Sequence, residues 1–213
     1  MPIPTTNATQ ELPAVNQILA SVGQAPVTTL DQTNPDVAIA YDTLLEVNKE
    51  VQAEGWTFNQ EFEYKITTDN NKEYEIPNNM LQVDFSDSYT GNINVVRRLK
   101  PGDNQPKLYD RYNHKYELGD TANTEYEVDV VWFFDWVEIP QPVQNYITAK
   151  AATITAQRIV GDPNLIQTLQ QREALARANA LEYECNQGDF TFFGHPQGTT
   201  YYTSYKPYRA LQR

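Results

Sequence analysis

The apolar residues of this chain change period twice. Up to Gly55 they recur at the three-and-four spacing of a helix, from Trp56 they alternate, and after Pro140 and Pro142 the helical spacing returns. The two periods place side chains on different faces, so neither one sheet nor one helical array can accommodate the whole chain. The expected fold is α+β: a four-helix bundle with an inserted, small, mostly antiparallel β domain and an extended aromatic C-terminal tail. The segments are 1–55 (first half of the bundle, with an N-terminal arm), 56–137 (β domain), 138–186 (second half of the bundle) and 187–213 (C-terminal extension).

The first helix carries Leu12, Val15, Ile18, Leu19 and Val22, with Thr9 as N-cap, Pro13 in the first turn and Gly23 as the stop. Asn34-Pro35-Asp36 opens the second, because Asn suits the cap and Pro the first helical position. Its apolar positions are Val37, Ala40, Tyr41, Leu44, Leu45, Val47, Val51 and Ala53, and Gly55 ends it. The third uses Val143, Tyr146, Ile147, Ala151, Ile154 and Ile159, and stops at Gly161. Asp162-Pro163 repeats the start signal, and Leu165, Leu169, Leu175, Ala176, Ala180 and Leu181 lie on or near the inner face of the fourth. Helices of this kind are not stable alone, so the two halves must bury each other's stripes.

Between them, Phe58, Phe62, Tyr64 and Ile66 fall on alternate positions of a half-buried strand. Further strands are expected at 80–85, 93–99, 107–111 and 125–134. Asp69-Asn70-Asn71, Pro77-Asn78-Asn79, Gly91-Asn92, Pro101-Gly102-Asp103 and Leu118-Gly119-Asp120 mark the turns. Trp132 and Trp136 flank Phe133-Phe134, as a core strand or as interface anchors.

Chemistry is sparse. With 28 acids against 16 bases the net charge is −12, which disfavours tight binding to a phosphate backbone. Such a surface serves solubility, or the wall of a DNA conduit. One cysteine, Cys185, excludes an intramolecular disulfide and reads as a small buried apolar residue. No secretory signal or membrane-length apolar run is evident, so a soluble, cytoplasmically made protein is expected. There is no phosphate-binding glycine loop, nucleophile elbow or zinc spacing, and His114 and His195 sit in loop-like contexts. Asp69, Asn71 and Glu73 faintly suggest a calcium loop, but Tyr74 and Met80 stand where glycine and the last acid belong. A hairpin turn explains them better. The acid pairs Asp84/Asp87, Glu125/Glu127 and Asp129/Asp135 invite a glycosidase reading, yet Glu125, Glu127 and Asp129 alternate as a solvated strand face would. Arg97, Arg98 and Lys100 form a small basic cluster suited to pairing with an acidic neighbouring subunit.

The tail is the richest clue. Phe190, Phe192, Phe193, Tyr201, Tyr202, Tyr205 and Tyr208 crowd a weakly basic stretch that includes Lys206, Arg209 and Arg213. These aromatics, with Arg209, are the candidate partner-binding residues. They would wrap a second subunit, since aromatic side chains give contact area at low entropic cost, or pack back on their own domain.

Three patterns carry a family resemblance. The first runs from Glu11-Leu12-Pro13-Ala14-Val15-Asn16 to Gly23-Gln24-Ala25-Pro26-Val27. The second is Asn34-Pro35-Asp36-Val37-Ala38, continued by Glu46-Val47-Asn48-Lys49-Glu50 through Gly55-Trp56-Thr57-Phe58-Asn59. The third is Lys107-Leu108-Tyr109-Asp110-Arg111-Tyr112-Asn113-His114, then Asp129-Val130-Val131-Trp132 and Ile147-Thr148-Ala149-Lys150-Ala151-Ala152. In order and spacing, over about residues 11–185, they resemble tail tubular protein A, the head-to-tail adaptor of short-tailed podophages of the autographivirus type. The resemblance implies a virion tail protein assembled in the host cytoplasm as a twelve-copy ring. That ring would sit between the portal protein and the tail nozzle protein (tail tubular protein B). Double-stranded DNA would pass through it without specific binding. No catalytic residue, cofactor, metal or membrane is implied. The segment after Asn186 departs from a short family member and is expected to reach the portal. The rivals are a carbohydrate-degrading tail component using an acid pair within 84–135, and a carbohydrate-binding one using Trp132, Trp136 or the tail tyrosines.

Overall fold

The computed structural model describes residues 8–31, 33–86 and 93–188. The elements run α1 (Ala8–Ser21), α2 (Pro35–Gln52), β1 (Gln60–Thr67), β2 (Met80–Phe85), β3 (Val95–Leu99), β4 (Pro106–Asp110), β5 (Glu125–Trp132), a 3-10 turn (Trp136–Glu138), α3 (Gln141–Ile159) and α4 (Pro163–Gly188). The class is α+β, with four helices and small antiparallel sheets.

Local chemistry sets several boundaries. Asn34 caps α2 by accepting the Asp36 N–H at 3.1 Å, and Pro35 opens the helix. Helix α1 already includes Ala8, so Thr9 lies within its first turn and is not the cap. The Asn16 side chain clamps Val27 at both N–H and C=O, fixing the loop after α1. Helix α3 buries ten of its nineteen residues, many of them Ala or Thr, and α1, α2 and α4 all contact it. Small side chains let several helices approach one axis closely, which gives this central helix its role.

Two apolar cores form. The helical one gathers Val15, Ile18, Leu19, Leu44, Val47, Trp56, Trp136, Tyr146 and Ile147. The β one gathers Ile66, Ile76, Met80, Leu108, Leu118, Val128 and Trp132. Trp132 and Trp136 are four residues apart and belong to different cores, both buried. The core reading of these tryptophans holds, and neither is available to stack on a partner.

Strand β5 is central in the order β1-β5-β2, and β3 pairs with β4 in a separate two-stranded sheet. Tyr126, Val128 and Val130 turn inward while Glu125 and Glu127 face solvent. Phe62 breaks its expected alternation. The register of β1 against β5 shifts between Glu61 and Tyr64, and Glu63 adopts φ 55°. The bulge turns Phe62 outward, 67% exposed, and is held by the Glu63 N–H donating to the Asp129 carboxylate at 3.0 Å.

The Asp69 turn is structural: one carboxylate oxygen accepts the N–H groups of Asn71 and Glu73 at 2.8 and 2.7 Å. It directs Glu73 inward, where the carboxylate meets the ammoniums of Lys100 and Lys107. Lys107, only 9% exposed, also reaches Asp103 at 2.7 Å. Burial pushes the Glu73 carboxyl up, but the two ammoniums outweigh it and hold it below its usual range. Lys107 holds Asp103 low, and Asp103 and then Glu73 hold Lys107 high. Replacing Lys107 by Met should cost about 2 kcal/mol, below the usual loss for breaking a buried pair because Lys100 remains on Glu73. The sign of the pH effect follows from the shifts. Carboxylates lowered by folding contribute above about pH 4 and lose that contribution as pH falls through their folded values. Lys107, raised by folding, contributes fully below about pH 10.5 and loses its contribution as pH rises through its folded value. Melts from pH 2.5 to 6 should therefore show a shallower acid loss in K107M than in the parent.

Candidate interaction surfaces

Two buried amides build the junction between the cores. Gln52 donates to Asn48 and to the Phe134 carbonyl and accepts the Phe134 N–H. Asn59 donates to the carbonyls of Gln52 and Trp132 and accepts the Trp56 N–H, all within 2.9 Å. The chain crosses from helix to sheet and back through these bonds. The end of α4 is fixed here too, since the Glu184 carboxylate accepts both the N–H and the hydroxyl of Thr57. The segment after Gly188 therefore starts beside the junction, at the β end of the helices.

Helix α4 is the least covered element. Its 26 residues span about 39 Å, yet only Leu169 and Ala180 are buried. Leu175 and Leu181, expected on or near the inner face, are 64% and 45% exposed. Cys185, expected buried, is exposed as well. The cause is phase. Leu169, Ala176 and Ala180 fix the face that meets α3, which leaves Ala174, Ala178, Leu181 and Cys185 as an uncharged stripe facing outward. A second feature lies beside it. Between α3 and α4 runs a groove of about 280 Å³ with Ala149, Ala152 and Ala176 among its lining residues. Asn145, Asn179, Thr148 and Arg172 supply its polar groups, and Leu175 stands at its edge.

The outward face of the three-stranded sheet is acidic. Glu125, Glu127 and Asp84 are exposed, and Asp84 stands opposite Asp129 across β2 and β5. Asp129 is engaged by the Glu63 N–H and Asp84 by that of Phe85, on an open sheet surface, which gives the glycosidase reading no cleft. Asp87 lies outside the described residues. The basic cluster finds its partners within the chain: Arg97 donates to the Met80 carbonyl, Arg98 sits over the Tyr109 ring, and Lys100 pairs with Glu73. His114 is an exposed turn residue at φ 56°. No group of three or more His, Cys, Asp or Glu among the described residues is placed to hold a metal ion.

The candidate partner-binding residues Phe190, Phe192, Phe193, Tyr201, Tyr202, Tyr205, Tyr208 and Arg209, together with His195, lie outside the described residues. Sequence reasoning missed the outward α4 stripe. The available signal was the helical phase: once Leu169, Ala176 and Ala180 share a face, Ala178 and Leu181 cannot.

A search of curated proteins returns no similar sequence. A family model described as tail tubular protein matches residues 12–190, from the second turn of α1 to just beyond α4. Because the match takes in both cores and the junction between them, the chain belongs to the tail tubular protein family, whose members are structural components of the virion tail.

Proposed function

We propose that the protein is a head-to-tail adaptor, a ring of identical interfaces closed by twelve copies between the portal and the tail nozzle protein. The observation that carries this reading is α4, a long helix of a tail protein with two buried residues in the single chain. A neighbouring copy covering its outward stripe makes a head-to-tail contact, and such contacts close rings. The acidic sheet face suits a DNA exit channel, because its carboxylates at Glu125, Glu127 and Asp84 outnumber its exposed Lys65 and leave little to displace phosphate counterions. DNA then slides through without specific binding. In this reading assembly takes place in the host cytoplasm; no described helix is long and apolar enough to cross a membrane.

In this reading the β domain faces the nozzle and residues 187–213 engage the portal through Phe190 to Arg209. The segment starts at the β end, where Glu184 holds the last turns of α4 on Thr57. Its 25 residues beyond Gly188 can extend about 80 Å, twice the length of α4, and the distance is no obstacle. The carbohydrate readings gain no support from buried Trp132 and Trp136 or from an open acidic face.

The test is negative-stain microscopy of the protein mixed with portal rings, where added twelvefold density is expected on one portal face. A chain ending at Gly188 retains both cores and should keep its far-UV circular dichroism spectrum while losing co-sedimentation with portal. Co-sedimentation by the shortened chain would overturn the tail assignment. Full-length protein that never adds to portal would overturn the adaptor reading.

A further inference from the structure

We infer that Glu11 is a proton-operated latch on the first turn of α1: neutral, it holds that turn against α2, and ionised, it lets the turn open. Glu11 is the one ionisable side chain of α1, and it is 3% exposed. Its Oε2 accepts a hydrogen bond from the Tyr41 hydroxyl of α2 at 2.7 Å. None of the described bases forms an ion pair with it.

The surroundings disfavour a carboxylate. Helix α1 packs on α2, α3 and the 3-10 turn. Tyr41 meets Glu11 from α2, and the negative charge of Asp135, which caps the 3-10 turn, acts on it from the other side. Glu138 of that turn accepts the Asp135 N–H and adds no cation. The bases of α3 are committed elsewhere, Lys150 to Glu50 and Arg158 to Glu46, and Tyr146 meets Arg177. Arg172 of α4 lines the groove beside Gln17, six residues further along α1, about 9 Å away along the axis. Burial pushes the Glu11 carboxyl above its usual range, the Tyr41 hydroxyl pulls it part of the way back, and Asp135 adds to the rise.

The helix is built to open at this end. Val15, Ile18 and Leu19 are at most 1% exposed and hold the later turns in the core. In the first turn Thr9 and Gln10 are exposed, so the described side chain that anchors it is Glu11. Pro13 donates no N–H, and the ladder joining the first turn to the rest therefore lacks a bond. A helix of this length takes its stability from packing rather than from propensity. Ionising Glu11 weakens the hold on one turn and leaves the core below it in place. The sign is opposite to that of Glu73. A carboxyl raised by folding contributes in full below about pH 4.3 and loses that contribution as pH rises through its folded value. The start of α1 therefore tightens in acid and loosens toward neutrality.

The test is hydrogen exchange with mass spectrometry on the full chain, reading the amides of Leu12, Ala14 and Val15, whose helical acceptors lie in the first turn. At about pH 7.5, Glu11→Gln should slow exchange there at least about threefold relative to the parent, because it keeps an acceptor for Tyr41 and sheds the charge. At about pH 4 the difference should vanish, since the carboxyl is then largely neutral. The acid loss from Glu73 is common to both chains and cancels in the comparison. Asp135→Asn, at a half-buried position where Asn also suits a cap, carries the same prediction should Glu11→Gln fail to fold. Exchange equal to or faster than the parent's at the higher pH overturns the inference. So does a slowing that persists unchanged at the lower pH, which would assign it to shape rather than charge. No partner enters the readout, so failure here leaves the adaptor reading standing, and the reverse holds too.

Discussion

Replacing Asn59 by Leu should cost about 3 kcal/mol although the two side chains are similar in size. Asn59 is 1% exposed, so whatever it leaves unpaired stays dry. The Trp56 N–H loses its acceptor and is orphaned. The Gln52 carbonyl loses one donor but keeps the Gly55 N–H at 3.3 Å, which limits the damage. The Trp132 carbonyl loses its 2.8 Å bond from the amide. One full desolvation penalty and two partial ones give the figure above. Against a total stability of about 5–15 kcal/mol the loss is large, and it should lower Tm by roughly 6–12 °C for a chain of this size. Asn59→Asp should be worse, since it keeps the acceptor but sets an anion against two carbonyls. Calorimetry or urea titration reads both, and a loss under about 1 kcal/mol for N59L would show that the amide does not hold the crossing together.

What could be read from the sequence was what depends on near neighbours. Asn34-Pro35 starts a helix through its own side-chain and ring chemistry, and alternating Tyr126, Val128 and Val130 declare a strand whatever lies beyond them. What could not be read depends on a distant partner. Phe62 is exposed because β5 sets a bulged register, and nothing in the local alternation announces it. Leu181 and Cys185 face outward because α3 chooses the face of α4. Glu73 sits in a turn-like stretch, and its burial becomes affordable only when Lys100 and Lys107 arrive from another hairpin. The same lysine that suggested an inter-subunit contact is consumed inside the chain. Asn59 and Gln52 read as ordinary polar residues, and only the crossing of two strands past α2 turns them into the junction.

The double variant Ala178→Glu, Leu181→Glu should leave the subunit folded and abolish ring assembly. Leu181 is 45% exposed and Ala178 is exposed, so charge at either meets water in the single chain. Exposed substitutions of this kind usually change stability by less than about 0.5 kcal/mol, and glutamate is a good helix former. At a subunit contact the same charges are stripped of water on an already acidic protein of net charge −12. An uncompensated carboxylate there costs several kcal/mol, on the order of 3 per site. Every interface of a closed ring carries the lesion, so the penalty recurs around the whole assembly. Circular dichroism and the melting curve should match the parent, while microscopy on portal should show no added ring. A ring of normal appearance would move the interface off the α4 stripe, most directly to the exposed Phe62 face of the sheet.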